Sequence, residues 1–315
     1  MADLTTLAAL QKIVDQNIRE IKLGKVDQYL PSMIPLLATV MKSDRPFEEF
    51  WEIEVLPDLA SWTGAVTYAK PSPGFYRRIE PGEFDLGVNF EKKLADDDKF
   101  GIVEKRTKML EQSDRRTREK MFARPFALAN SIGYDFEQSE EGVAWCSSSH
   151  KTKVPGVSTA SGFSNIGTTA LSKTAVAAAR LAMALFRDPT GQLANVTGDC
   201  LVVPESLYDT ACEVTGFDPR TGASSSMDPD TGNRKINIAY GTEVIPWRFL
   251  DLIGSSTMWF MIDKAMLKEF LIWVNRIGPE YESHIDFETK SVKASVYDRF
   301  GYGNLAWQPI YMGNQ

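Results

Sequence analysis

The sequence is poor in the residues that carry most enzyme chemistry. Its 315 residues include two histidines, His150 and His284, and three cysteines, Cys146, Cys200 and Cys212. No C-x-x-C spacing occurs and the cysteine number is odd, so buried thiols in a reducing compartment are expected, not a disulfide framework. Two histidines without cysteine pairs beside them leave no zinc ligand set. A serine hydrolase would need one histidine beside an activated serine and an acid to orient it. "SSSH" sets Ser147 to Ser149 next to His150, yet no G-x-S-x-G elbow is present. A structural or surface histidine is the expectation, with a soluble hydrolase built on His150 as the remote alternative.

Positive charge is also scarce: 35 Lys and Arg stand against 42 Asp and Glu, a net charge of −7. That argues against a protein that grips nucleic acid by covering its phosphates with cations, though not against one that lives beside it. No run approaches the roughly 18 apolar residues of a membrane span. The N-terminus lacks the basic start, apolar core and small-residue cleavage site of a secretory signal, so synthesis in the cytoplasm is expected. No internal repeat or long low-complexity tract is found.

Several stretches come close to known sites and fall short. "GFSNIGTT", Gly162 to Thr169, precedes a helix as a phosphate loop would, but Thr168 stands where the phosphate-reaching lysine belongs. "MDPDTGN", Met227 to Asn233, alternates acidic oxygens like a calcium loop but lacks the bidentate glutamate. "DRRTREK", Asp114 to Lys120, has the cations of a nucleic-acid patch, but Glu111, Asp114 and Glu119 interleave it. A solvated or subunit-facing helix face is expected there. The carboxylates Asp96 to Asp98 and the pair Glu140 and Glu141 have no apolar surround to raise a pKa. No cofactor, metal or catalytic residue is expected.

What the chain does contain is a particular order of elements. Residues 1–42 read as one or two amphipathic helices, broken at Gly24, Pro31 and Pro35, with Leu4, Leu7, Leu10, Ile13, Val14, Ile18 and Ile21 recurring at three and four as one helix face requires. "GAVTYAK", "GFYRRIEP" and "FDLGVNFEKKL" read as a long hairpin-like excursion with too little core to stand alone. A helix from Asp97 to Phe122 would span about 40 Å, with Pro125 kinking it or starting a second segment. Beyond Gly133 the pattern is a mixed unit. Ser172 caps a helix through Phe186, "DCLVVP" is a buried strand, and "ESLYDTACEV" is a helix closed by Gly216. "KINIAY", "TEVIPWRFL" and "STMWFMI" read as strands, Asp263 caps a helix to Ile277, and "KASVYDRF" and "NLAWQPIYM" close the chain as strands. Helices and strands mix without a βαβ rhythm, which places the chain in the α+β class.

Taken in order, "LPDLASWTGAVTYAK", "FEKKLADDDKFG", "EEGVAWCSSSHK", "LSKTAVAAARLAMALFRDPTGQ", "CLVVPESLYDTACEV" and "YDRFGYGNLAWQPIYMGN" resemble the Mu-like major head subunit family, the major capsid proteins of tailed phages and prophages. The resemblance implies the tailed-phage major capsid fold: an N-terminal arm at 1–45, the start of a peripheral domain at 46–59 and an extended loop at 60–94. The peripheral domain with its spine helix would follow at 95–164, an axial domain at 165–280, and returning peripheral strands at 281–315.

The function it implies is structural. Copies would form hexamers and pentamers of an icosahedral shell around packaged double-stranded DNA, held without sequence-specific binding. A separate scaffolding protein, a portal and a decoration protein are the implied partners, no membrane is involved, and assembly would take place in the host cytoplasm. An encapsulin-like compartment shell is the alternative on the same fold. Subunit contacts are expected at Trp62, Tyr68 and Tyr76 of the extended loop, at Arg115, Arg116 and Arg118 of the spine helix, and at Asp228 in the axial loop. Some related capsids join subunits through a Lys–Asn bond. Lys70, Asn304 and Asn314 are present, but no motif pairs them and no cross-link is expected.

Overall fold

A computed structural model of the chain describes residues 7–23, 31–52, 59, 61–62, 64–66, 68, 74–93, 101–153, 163–188, 191–218, 223–224, 239–286 and 288–313. Helix α1 (Leu7–Lys22) buries Leu10, Val14, Ile18 and Ile21, whose spacing of three and four makes one apolar face. Helix α2 (Ile34–Leu37) carries Pro35 in its first turn, where proline's fixed φ suits a helix start. Strands β1 (Thr39–Lys42), β2 (Glu48–Trp51), β3 (Tyr76–Ile79) and β4 (Gly82–Glu91) lead to the long helix α3 (Ile102–Ala127). Strand β5 (Glu137–Ser139), helix α4 (Lys173–Ala184), β6 (Cys200–Val203), α5 (Tyr208–Thr215), β7 (Phe217–Asp218) and β8 (Ala223–Ser224) follow. The chain ends through β9 (Glu243–Pro246), α6 (Arg248–Ile253), β10 (Trp259–Ile262), α7 (Lys264–Phe270), β11 (Leu271–Asp286), β12 (Ser291–Asn304) and β13 (Ile310–Gly313).

These strands form a sheet in the order β1-β11-β12-β4, a second in the order β13-β10-β6-β9, a third of β2-β3-β5, and the pair β7-β8. Helix α3 ties them together. It is about 39 Å long at 1.5 Å per residue. Its first half packs on α1 and β4, around Leu10, Val14, Phe90, Val103, Leu110 and Tyr281. Its last turns carry Phe122 and Phe126 into the main core, where Phe126 meets the rings of Trp145, Trp247 and Phe260 edge-on at 5.2 to 5.5 Å. Each such buried phenylalanine contributes about 1.5–3 kcal/mol of transfer free energy.

Several local expectations hold. Ser172 caps α4 by accepting from the Ala175 N–H at 3.2 Å, and Asp263 caps α7 by accepting from Met266 at 2.9 Å. Gly216 ends α5 at φ +69, the left-handed conformation that glycine adopts without a Cβ penalty. Burial pushes the thiols of Cys146 and Cys200 up, while Cys212 is half-buried.

Others are corrected. Helix α3 starts at Ile102, after a left-handed Gly101, and runs through Pro125 without starting a second segment. The proline falls in the final turn, which the Leu128 N–H closes onto the Arg124 carbonyl at 2.8 Å. The helix after Asp263 stops at Phe270, not Ile277. The run "LIWV" is buried at every position and serves as a central strand between β1 and β12, where an exposed helix face would waste it. Gly278 and Pro279 fall at a register shift between Ile277 and Glu280, which removes the proline from the ladder.

The hairpin-like excursion is likewise divided. β3 does not pair with β4; it pairs with β2 and β5, whereas β4 runs ten residues along β12. The segment "TEVIPWRFL" is a strand only to Pro246 and then turns helical. Residues 67, 69 and 70 of "GAVTYAK" and 235–238 of "KINIAY" lie outside the described residues.

Candidate functional site

Two of the regions open to chemistry on sequence grounds, around His150 and around Gly167, are committed to structure. His150 is fully buried and stacked on the Trp307 ring at 4.6 Å. Asn165 donates its amide to the carbonyls of Trp145, Trp307 and Ile310 at 2.9 to 3.2 Å, which turns its oxygen toward the Ser147 N–H and His150 Nε2. That orientation makes Nε2 a donor. Nδ1 faces Glu141 at 3.0 Å, so neither ring nitrogen is left to take a proton from a serine. Ser147 Oγ contacts Ser149 Oγ instead, at 3.3 Å.

The same network continues outward. Glu141 faces Arg77 at 3.5 Å, and Arg77 donates to Glu137 and to Asn304 Oδ1 at 2.7 and 2.6 Å. Glu137 also accepts the Asn304 N–H at 2.7 Å. Burial opposes the charge on Arg77, but Glu137 and Glu141 outweigh it and hold the guanidinium's pKa up. Burial likewise pushes Glu141 upward, but the hydrogen bond and charge of His150 prevail and leave it below the usual range. This buried chain of side chains pins the β2–β3–β5 sheet to the end of β12. Asn304, 1% exposed, gives this network its Oδ1 and its backbone N–H; Lys70 and Asn314 lie outside the described residues.

The loop that resembles a phosphate cradle is filled. A Cβ at Gly167 would overlap the Tyr311 hydroxyl, and the Gly167 N–H donates to the Met312 carbonyl at 2.8 Å. Among the described residues no cluster of three or more His, Cys, Asp or Glu could hold a metal ion, and no helix is long and apolar enough to cross a membrane.

Several large apolar side chains face outward. Trp62 and Tyr68 are 73% and 83% exposed, and Leu59, Val66 and Trp51 share the same stretch of chain with exposures of 101%, 62% and 57%. Leu59, Val66 and Trp51 went unremarked in the sequence, because an apolar residue between loop residues carries no periodic signal. Tyr76, at the base of this stretch, is half-buried and engaged within its own chain: its ring lies 5.1 Å from Trp51 and its hydroxyl donates to Glu49 at 2.7 Å. A second exposed set, Leu181, Leu185 and Leu193, lies on and after α4.

The arginines of α3 separate. Arg115 pairs with Glu111, and Arg118 reaches Asp298 at 2.6 Å and Asp114 at 3.7 Å, so both serve the chain's own packing. Arg116 is exposed and makes no ion pair among the described residues. Burial, opposed by Arg118 and reinforced by the Asp298 carboxylate, pushes Asp114 up to about 7. Asp228 lies outside the described residues.

A family model described as phage capsid protein matches residues 77–312. No curated protein matches the sequence. Among solved structures, the capsid of a native GTA particle is similar at 14% identity and TM-score 0.55, over 91% of this chain and 92% of that one. The mature capsid of bacteriophage PhiM1 is similar at 10% identity and TM-score 0.54, over 91% and 89%. Mycobacterium phage Cain gives 12% identity and TM-score 0.51, over 93% and 92%.

Proposed function

From the premise that this chain belongs to the phage capsid protein family and has the tailed-phage capsid fold, we propose how it builds a shell. It is a major capsid shell protein, and its copies assemble into capsomers. In our reading the capsomers are hexamers and pentamers that close into an icosahedron around double-stranded DNA, and the subunit is of the Mu-like kind. The family and its neighbours are structural proteins. The commitment of both His150 nitrogens supports the absence of catalysis, and the family match supports a virion over an encapsulin-like compartment.

The observation that carries the reading is the exposed set Trp51, Leu59, Trp62, Val66 and Tyr68. Aromatic and aliphatic side chains gathered on one stretch are costly in water, at about 25 cal/mol per Å² of apolar surface, and mark a protein contact. We read residues from about 52 to 75 as the extended loop, laid on a neighbouring copy, with β2 and β3 as its base. The arm then includes α1, the spine helix is α3, the axial domain runs from about 165 to 270, and β11 begins the return to the peripheral domain. Scaffolding, portal and decoration proteins belong to the proposal, as does assembly in the host cytoplasm.

Electron microscopy of the purified protein, expressed alone and with its genomic neighbours, tests this. Uniform shells or rings of five and six are the expected images. A stable monomer under both conditions would sink the reading.

A further inference from the structure

Helix α3 sorts its charges by side, in a way its linear sequence hides. At about 100° per residue, Lys105, Arg106, Met109, Gln112, Ser113, Arg116 and Lys120 fall within an arc of roughly 120°. Lys105, Arg106, Met109, Gln112 and Arg116 are exposed, and Ser113 and Lys120 are half-buried. The acidic residues lie off this stripe and are engaged: Glu104 with Lys108, Glu111 with Arg115, Asp114 with Arg118, and Glu119 with Ser32. None of the four stripe cations makes an ion pair among the described residues. A chain of net charge −7 therefore presents a row of positive charge about 22 Å long that no described residue pairs.

We propose that this stripe is a contact surface for the phosphate backbone of the packaged double-stranded DNA. The proposal rests on the shell reading above and names the place where shell and genome touch. Composition selects the partner. Lysine is depleted and aromatic residues are enriched at the cores of protein contacts, and this stripe has lysine and no aromatic ring. Arg, Lys, Gln and Ser are the side chains that donate to phosphate oxygens. The exposed loop residues Trp62 and Tyr68 show the opposite composition, the one that suits another protein. Four cations make a weak, sequence-blind and salt-sensitive contact, compatible with DNA that must still move.

The test is fluorescence anisotropy of two short duplexes of unrelated sequence with the full chain kept below its assembly concentration. Both duplexes should bind alike. If all four cations meet phosphates, log K should fall against log salt with a slope of about −3.6, a loss of roughly 150-fold between about 50 and about 200 mM. The combined variant Lys105→Gln, Arg106→Gln, Arg116→Gln and Lys120→Gln should lose this binding. Arg116→Gln alone should reduce the slope by about 0.9, and Arg115→Gln, whose partner is Glu111, should leave it unchanged. Should the combined variant fail to fold, the two single variants decide.

No duplex binding by the wild type at low salt, or an unchanged slope for Arg116→Gln, overturns the inference. Electron microscopy of the same samples separates the two levels of the argument. Shells from both wild type and combined variant, together with the lost binding, support the stripe as a DNA contact. Shells from the wild type alone would make the stripe a contact between copies and overturn the inference. A wild type that assembles into nothing sinks the shell reading itself.

Discussion

Arg77 and Arg78 are neighbours on β3, and strand alternation sends them to opposite faces. Arg77 is 6% exposed and sits between Glu137, Glu141 and Asn304. Arg77→Ala would leave two buried carboxylates without their guanidinium, a change that costs about 3–5 kcal/mol. Arg78→Ala gives up a partly exposed pair with Glu80 at 3.5 Å and a contact over the Phe47 ring at 3.8 Å, together about 1 kcal/mol. Urea denaturation of the dissociated subunit should show a lower midpoint for Arg77→Ala at an unchanged slope, and a small shift for Arg78→Ala.

The loss should also depend on pH. Burial raises the folded-state pKa of Glu137 above its unfolded value even with Arg77 in place, and loss of the guanidinium raises it further, so the variant takes up more proton on folding than the wild type and gains more stability as pH falls. Its deficit against wild type should therefore narrow between about pH 7 and about pH 5. A deficit below about 1 kcal/mol, or one equal at both pH values, refutes the argument that the guanidinium holds a buried charge network.

Three further outcomes are expected. Trp62→Ala and Tyr68→Ala, at exposed positions, should change subunit stability by less than about 0.5 kcal/mol while impairing shell formation seen by microscopy; normal shells would remove these residues from the contact. Asp114, pushed up to about 7, keeps a proton in the folded state that the unfolded chain releases above about pH 4. Stability is therefore lost as pH rises from about 4 to about 7, by up to 1.4 kcal/mol per unit, and Asp114→Asn should flatten that dependence; an unchanged profile in denaturant titrations counts against a buried Asp114 that holds its proton beside Asp298. Gly313→Ala would drive a methyl into the Trp259 ring and should destabilise by about 1–3 kcal/mol in thermal melts, with a neutral result showing that the ring can move aside.

Much of the scaffold was legible because it rests on neighbours in sequence. The apolar face of α1, the caps at Ser172 and Asp263, the stop at Gly216 and the buried strand at Cys200–Val203 each depend on a few adjacent residues. The order of such segments was enough to suggest the shell family. Where local rules left two outcomes, the choice went to distant partners. "LIWV" after Phe270 could extend a helix or enter a sheet, and the flanking β1 and β12 decided for the sheet.

The residues expected at subunit contacts divide in the same way. The sequence marked Trp62 and Tyr68 but could not say that Tyr76 would be used up against Trp51 and Glu49. It showed acids interleaved with the cations of α3, and only the packing of that helix revealed which side each charge takes. Helix periodicity, turn chemistry and capping were thus fixed by the sequence itself, because bonded neighbours set them. Which charges are buried, which strands pair and which side chains stay exposed were decided by the tertiary structure. Those properties depend on contacts such as Arg77 with Asn304, 227 residues apart, that no local window contains.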